Sequence, residues 1–188
     1  MISPLNPVVM QEKKLPAVLS DLYRGDDMKE YSLNIKAEIE YAQKWAFSAN
    51  PAYYNFENIG GDCTNFVSQC LYAGGAVMNY TRDTGWYYNS LHDRAAAWTS
   101  VEYFYKFIVN NKSVGPFGIP VSLSQVRAGD VIQLGANGRF HHSLLVINVC
   151  SGVPYIAAHT FNAYDHPLNT YIYDDIRCIR IAGTRKYG

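Results

Sequence analysis

With 188 residues, 48% of them hydrophobic and 17% charged, the chain is long enough for one domain with a substantial core. Lys and Arg (16) balance Asp and Glu (16) to a formal charge of zero, and no basic cluster marks a nucleic-acid surface. No apolar run approaches the roughly 20 residues of a membrane span.

Residues 1–28 contain three prolines and no sustained period, and read as an N-terminal arm; residues 29–188 read as a single domain. The opening stretch lacks the basic start and unbroken apolar run of a signal peptide. The chain is therefore expected to be secreted or cell-wall associated only as a mature form, and cytoplasmic otherwise. From Ile35 the spacing of Ile35, Ile39, Ala42, Trp45 and Ala46 predicts a helix that ends before Asn50-Pro51. After a loop, a second helix runs from about Cys63 to Ala73, with Gly74-Gly75 as its stop signal.

Residues 76–97 show no period and are rich in aromatic and polar groups, as in a surface excursion beside a binding site. Thr99 or Ser100 caps a helix to about residue 110, with Val101, Phe104, Tyr105 and Ile108 on one face and Glu102 in its first turn. The texture then changes. Residues 129–135, 141–150, 154–159 and 176–183 are short β-branched-rich runs bounded by turn residues, with Gly138 and Ser151-Gly152 between neighbouring antiparallel strands. Helices first and a strand meander second predict an α+β fold with helices packed on one side of an antiparallel sheet.

Four cysteines are present, with neither a C-x-x-C pair nor a zinc spacing. Cys70, Cys150 and Cys178 lie in apolar runs and read as buried thiols. Cys63 differs: at a helix start, unpaired N–H groups and the dipole favour a thiolate. A nucleophilic cysteine needs a base and a group to orient it. His92 and His166 sit in polar loops. His141 and His142 open a strand, so their side chains point to opposite faces and periodicity does not choose between them. His159 ends the next strand. A zinc site made from these histidines with Asp62 and Cys63 lacks any tight local ligand pair. No metal and no cofactor is expected.

The segments "GGDCTNFVSQCLYAGG", "GDVIQL", "HHSLLV" and "YIAAHTFN…PLNTY" together resemble the bacterial amidase-domain family, whose members are papain-like cysteine hydrolases similar in plan to NlpC-type and CHAP enzymes. The likeness spans roughly residues 35 to 175. It implies a papain-like fold, with Cys63 as nucleophile, His142 as base and His159 as the residue orienting it; Asn148, Asn162 and Asp165 are the substitutes for His159. A papain-type oxyanion glutamine would fall at Glu57, which has no N–H to give. The NlpC-type tyrosine falls at Tyr54, with Tyr53 and Asn55 as rivals; Trp86, with Tyr87 and Tyr88, is expected either to wall the substrate cleft or to serve as core or lid. Asp62 is assigned to capping and loop anchoring, and Asn65, Ser68 and Gln69 to loop and helix-surface hydrogen bonds. The implied activity is hydrolysis of an amide through a thioester, in peptidoglycan or a related peptide. Another cysteine peptidase, deamidase or acyltransferase, or a non-catalytic binding domain, is the alternative.

Overall fold

A computed structural model describes residues 27–188; the arm expected over residues 1–28 lies outside the described residues except at its end. Met28, placed in that arm by sequence, already opens a strand, β1 (Met28–Tyr31). Helix α1 (Ile35–Trp45) follows, begun by Asn34, whose side-chain oxygen accepts the Ala37 amide at 3.1 Å. Next come α2 (Cys63–Ala73), the one-turn α3 (Ala96–Thr99) and α4 (Val101–Asn110). Both α2 and α4 match their expected bounds. The left-handed residue after α2 is Gly75 (φ 95°), while Gly74 stays helical (φ −72°). Among the described residues no helix is long and apolar enough to cross a membrane.

Six strands complete the chain: β2 (Gly115–Val121), β3 (Val131–Ala136), β4 (Arg139–Cys150), β5 (Val153–Ala158), β6 (Ala163–Pro167) and β7 (Asp175–Tyr187). All ladders are antiparallel, in the order β1-β7-β3-β4-β5-β6, with β2 also on β7. This is the expected α+β layout, and Gly138 and Ser151-Gly152 turn the β3–β4 and β4–β5 hairpins as expected. The sequence does not reveal β1, β2 or β6. β1 is exposed throughout and shows no alternation; β2 carries Pro116 and Pro120, which an edge strand pairing only with β7 tolerates.

Bulges interrupt four of the ladders, at Phe117/Gly118, Leu134/Gly135, Val146/Asn148 and Ile156/Ala158. Each bulge bends its strand and strengthens the local twist. The central strands carry an apolar core on each face of the sheet. Phe66, Leu71, Trp98, Phe104 and Ile108 from the helices meet Val131, Leu145 and Ile179 on one face. Ile132, Leu134, Leu144, Val146 and Ile156 form a second core with Leu168 on the other. The excursion expected at residues 76–97 is not a surface feature throughout. Trp86 is fully buried, and its indole N–H donates to Ser68 Oγ at 3.1 Å. Trp86 is thus a core residue and not a cleft residue, because a buried indole needs a partner that the adjacent helix supplies. Cys150 also departs from expectation: at the end of β4, beside the Ser151-Gly152 turn, it is exposed.

One buried pair ties the helices to the sheet. His159, just past β5, places Nδ1 2.6 Å from Asp62 Oδ2 and Nε2 2.8 Å from the Trp45 carbonyl. The ring also stacks on Phe66 with centroids 4.1 Å apart. A carbonyl only accepts, so Nε2 donates to Trp45, while Nδ1 is paired with the Asp62 carboxyl group. Both nitrogens are committed, so His159 does not orient His142. Asp62 Oδ1 in turn accepts the Phe56 amide (2.9 Å) and the Asn65 side-chain amide (2.8 Å). The end of α1, the loop before α2, the start of α2 and the end of β5 are thereby joined at one point. Removing one member strands the other in a dry site. We expect His159→Ala to cost about 3–5 kcal/mol in urea unfolding, and Asp62→Ala plus His159→Ala together to cost less than the sum of the two.

Helix α1 carries a second polar anomaly. Its buried face includes Glu38, fully inaccessible, with both carboxylate oxygens lacking a hydrogen-bond partner. Its stem fills the space beneath Gly74, where an added Cβ would lie 2.5 Å from Glu38 Cγ. Burial first, and the neighbouring Asp130 second, push the Glu38 carboxyl up to about 8. A carboxyl raised in the folded state contributes stability fully below its unfolded value and loses it as pH climbs through about 8. Thermal melts should therefore show the stability of wild type relative to Glu38→Gln falling between about pH 5 and pH 9, by on the order of 4 kcal/mol. Parallel curves for the two proteins would sink the assignment.

Candidate active site

The site is built where β4 outlasts its partner. Val146 exchanges backbone bonds on the β3 side, accepting from the Gly129 amide at 2.8 Å and donating to the Asp130 carbonyl at 2.9 Å. By the two-residue period of a strand, the amide of Ser143 points the other way, toward β5. Leu145 pairs with Ala157 and β5 ends at Ala158, so the edge at residues 141–143 has no strand beside it. The first turn of α2 fills that space. Cys63 Sγ lies 3.9 Å from the His141 carbonyl oxygen and 3.9 Å from Thr64 Oγ1, and the Ser143 backbone hydrogen-bonds to it. The sulfur therefore sits against the backbone on both sides of His142.

Side-chain alternation then separates the neighbours. Ser143 faces the helices: its hydroxyl is 3.0 Å from Thr64 Oγ1 and accepts the buried Gln133 amide at 3.1 Å. Gln133 passes this chain on to Arg177 (2.7 Å) and so to Glu102 (3.2 Å). His142 faces the other side with Leu144. Its ring neighbours those of Phe161 and Tyr171, with centroids 6.3 and 6.1 Å away, and its Nε2 is buried with no hydrogen-bond partner. His141, on the bulge, is exposed, its Nδ1 3.3 Å from the Arg139 carbonyl oxygen. Neither His159 nor the substitutes hold Nε2 of His142. Asn148 bonds the amide of its own neighbour Val149, and Asn162 and Asp165 are exposed.

Electrostatics at the pair run against the sequence expectation for Cys63. The thiol is only 5% exposed, and burial pushes it above its ordinary value; the Ser143 backbone and the Thr64 hydroxyl pull in the opposite direction without prevailing. The helix start was expected to lower it. Desolvation wins because the sulfur is enclosed between α2 and the β4 edge. Burial and the neighbouring His141 lower His142 to about 4. At neutral pH the site therefore holds a thiol and a neutral imidazole with a free ring nitrogen.

The loop before α2 is anchored through its backbone. The Tyr54 carbonyl accepts the Asn65 side-chain amide at 3.1 Å, its N–H donates to the Tyr88 hydroxyl at 2.8 Å, and its ring stays exposed. The Asn55 side-chain oxygen accepts the Glu57 amide in a turn, and Tyr53 stacks on Trp98. Asp62 anchors this loop but makes no side-chain cap bond to α2. Asn65, Ser68 and Gln69 are buried and not on the helix surface: Asn65 accepts the Trp98 indole, Ser68 donates to the Trp98 carbonyl, and Gln69 accepts the Tyr41 hydroxyl. Sequence reasoning missed Ser143, Gln133, Thr160, Phe161 and Tyr171. Only Gln133 carried a signal, as a polar residue inside the apolar run "DVIQLG". Among the described residues no group of three or more His, Cys, Asp or Glu side chains is placed to hold a metal ion.

The uncharacterized protein YhbB of Bacillus subtilis (strain 168) is 35% identical over 143 residues, covering 73% of this chain and 43% of its own length. The uncharacterized protein YjcM of the same organism is 28% identical over 140 residues, covering 70% of this chain and 32% of its own. The chain thus spans less than half the length of these curated relatives. No solved structure matches it significantly. The family model described as "Putative amidase domain" matches residues 32–182. That match runs from before α1 into β7 and takes in the α2 start, the β4 edge and the His159 tie; the chain belongs to this amidase-domain family.

Proposed function

We propose that the domain hydrolyses an amide bond with Cys63 as nucleophile and His142 as base, on a papain-like plan. The observation that carries this reading is the unpartnered, buried Nε2 of His142 on the stretch of β4 whose free edge receives the Cys63 sulfur. A buried ring nitrogen without a partner is costly, and functional sites are where such groups are retained. Catalytic hydrogen bonds also tighten on substrate binding.

The resting pair is neutral, so proton transfer accompanies attack. His142 takes the Cys63 proton as sulfur bonds to the amide carbonyl carbon, and the carbonyl becomes an oxyanion. The backbone N–H of Cys63 at the start of α2 is the natural donor to that oxyanion. The C–N bond breaks as the proton on His142 passes to the leaving amine. Water, deprotonated by His142, then cleaves the thioester and restores the thiol. Asp62 and His159 hold the start of α2, and hence Cys63, in place. The substrate on this reading is a peptide amide, in peptidoglycan or a related peptide. A second reading, a binding domain on the same fold, is favoured by the 5% exposure of Cys63.

An activated acyl ester separates the two readings, with exposed Cys150 as internal control. Mass spectrometry should find one acyl group on Cys63, absent in Cys63→Ala and formed at least about 100-fold more slowly in His142→Ala. Labelling of Cys150 alone would eliminate the catalytic reading. With His142 at about 4, the acylation rate should stay flat from about pH 8 to about pH 5 and fall as His142 protonates. An acid limb centred near the ordinary histidine value would show that some other base acts.

A further inference from the structure

Beside His142 the surface opens into a groove of about 770 Å³. Two stretches distant in sequence form it: Phe47 just past α1, and residues 161–172, which run from the turn before β6 through that strand to the turn after it. Phe47 is 69% exposed, Phe161 81% and Ile172 101%. Isolated exposed apolar residues need no explanation, whereas three around one concavity mark a binding surface. No Asp, Glu, Lys or Arg is among the lining residues; Asn162, Thr170 and His166 supply the polar groups, and His166 Nε2 is bonded to Thr170 at 2.7 Å.

The backbone holds Phe161 in place at a conformational cost. Thr160 and Phe161 take consecutive left-handed conformations (φ 55° and 75°), which a β-branched and an aromatic residue rarely adopt. The conformation is fixed from the catalytic side, since the Asp62 amide donates to Thr160 Oγ1 at 2.8 Å and that hydroxyl reaches Glu57 at 3.3 Å. The strained turn thus carries the Phe161 ring to His142, where it stands perpendicular to the imidazole. Tyr171, with its ring centroid 6.1 Å from that of His142, also lines the groove.

We infer that this groove is the substrate's specificity subsite, and that it takes an uncharged apolar or aromatic side chain next to the scissile amide. The inference rests on the proposed role of His142 for its position relative to the reacting bond. Its chemistry rests on the groove itself. Charged side chains would lose their hydration against an aromatic wall that offers no counter-ion, while an apolar one gains by burial.

Binding to Cys63→Ala protein tests this without turnover. NMR titrations would compare N-acetyl-phenylalanine amide with the glutamate and lysine analogues and with a neutral chito-oligosaccharide. The phenylalanine amide should bind at least about fivefold more tightly than the others, and Phe161→Ala or Ile172→Ala should reduce that preference about fivefold. Equal binding of all four, preference for a charged amide or the sugar, or a preference indifferent to both substitutions would overturn the proposal. So would a dimer in sedimentation that Phe161→Ala dissociates, which would assign the patch to a second copy of the chain. If Cys63 is acylated yet the groove shows no preference, the subsite fails and the catalytic reading stands. If the preference appears without acylation, the groove stands as a neutral-peptide site and the catalytic reading fails.

Discussion

The contact between Asp62 and His159 is the constraint on which the rest of the site depends. Four backbone segments meet at it. A hydrogen bond at 2.6 Å in a dry environment is strong when its remaining polar atoms are satisfied, and they are here. Its influence runs in two directions. Through the backbone of Asp62 it fixes where α2 begins, and therefore where the Cys63 sulfur meets β4. The Asp62 amide also secures Thr160, so the same residue sets the turn that carries Phe161.

The β4 edge shows how a sheet irregularity becomes a site. An unpaired edge ordinarily invites pairing with another strand and must be covered. Here the covering group is the first turn of a helix, and the group set against the ladder positions is a thiol. The same enclosure that places the sulfur also desolvates it. This explains why the local advantage of a helix N-terminus does not prevail, and why the proposed chemistry starts from a neutral pair instead of a thiolate and an imidazolium.

Glu38 shows the same physics without an evident chemical role. Its carboxyl is buried, unpartnered and close to Asp130, so it stays protonated where an exposed glutamate would not. The opposite slopes of Glu38 and His142 matter for stability. Lowering pH through the range below the ordinary histidine value weakens the fold as His142 must take up a proton, whereas raising pH weakens it as Glu38 must lose one.

Periodicity and turn residues determined α1, α2, α4 and the β3–β4–β5 hairpins, because those signals are local: an apolar stripe, a glycine past a helix end, a Gly at a two-residue turn. The motif around Cys63 and the order of the histidines were also legible. Edge strands β1 and β2 were not, since an exposed or proline-bearing strand has no alternation to read. The burial of Trp86 and Glu38 was equally hidden, being set by elements far away in sequence. Above all, the sequence pointed to candidate residues but not to the partner each would meet. His159 was expected beside His142 from strand adjacency and from the family resemblance. Only the tertiary structure, by ending β5 at Ala158 and closing the end of α1 over it, turned that ring to Asp62 and left Nε2 of His142 free. A side chain's hydrogen bonds are decided by whichever donor or acceptor packing brings within 3 Å, and that choice lies beyond the range of any local pattern.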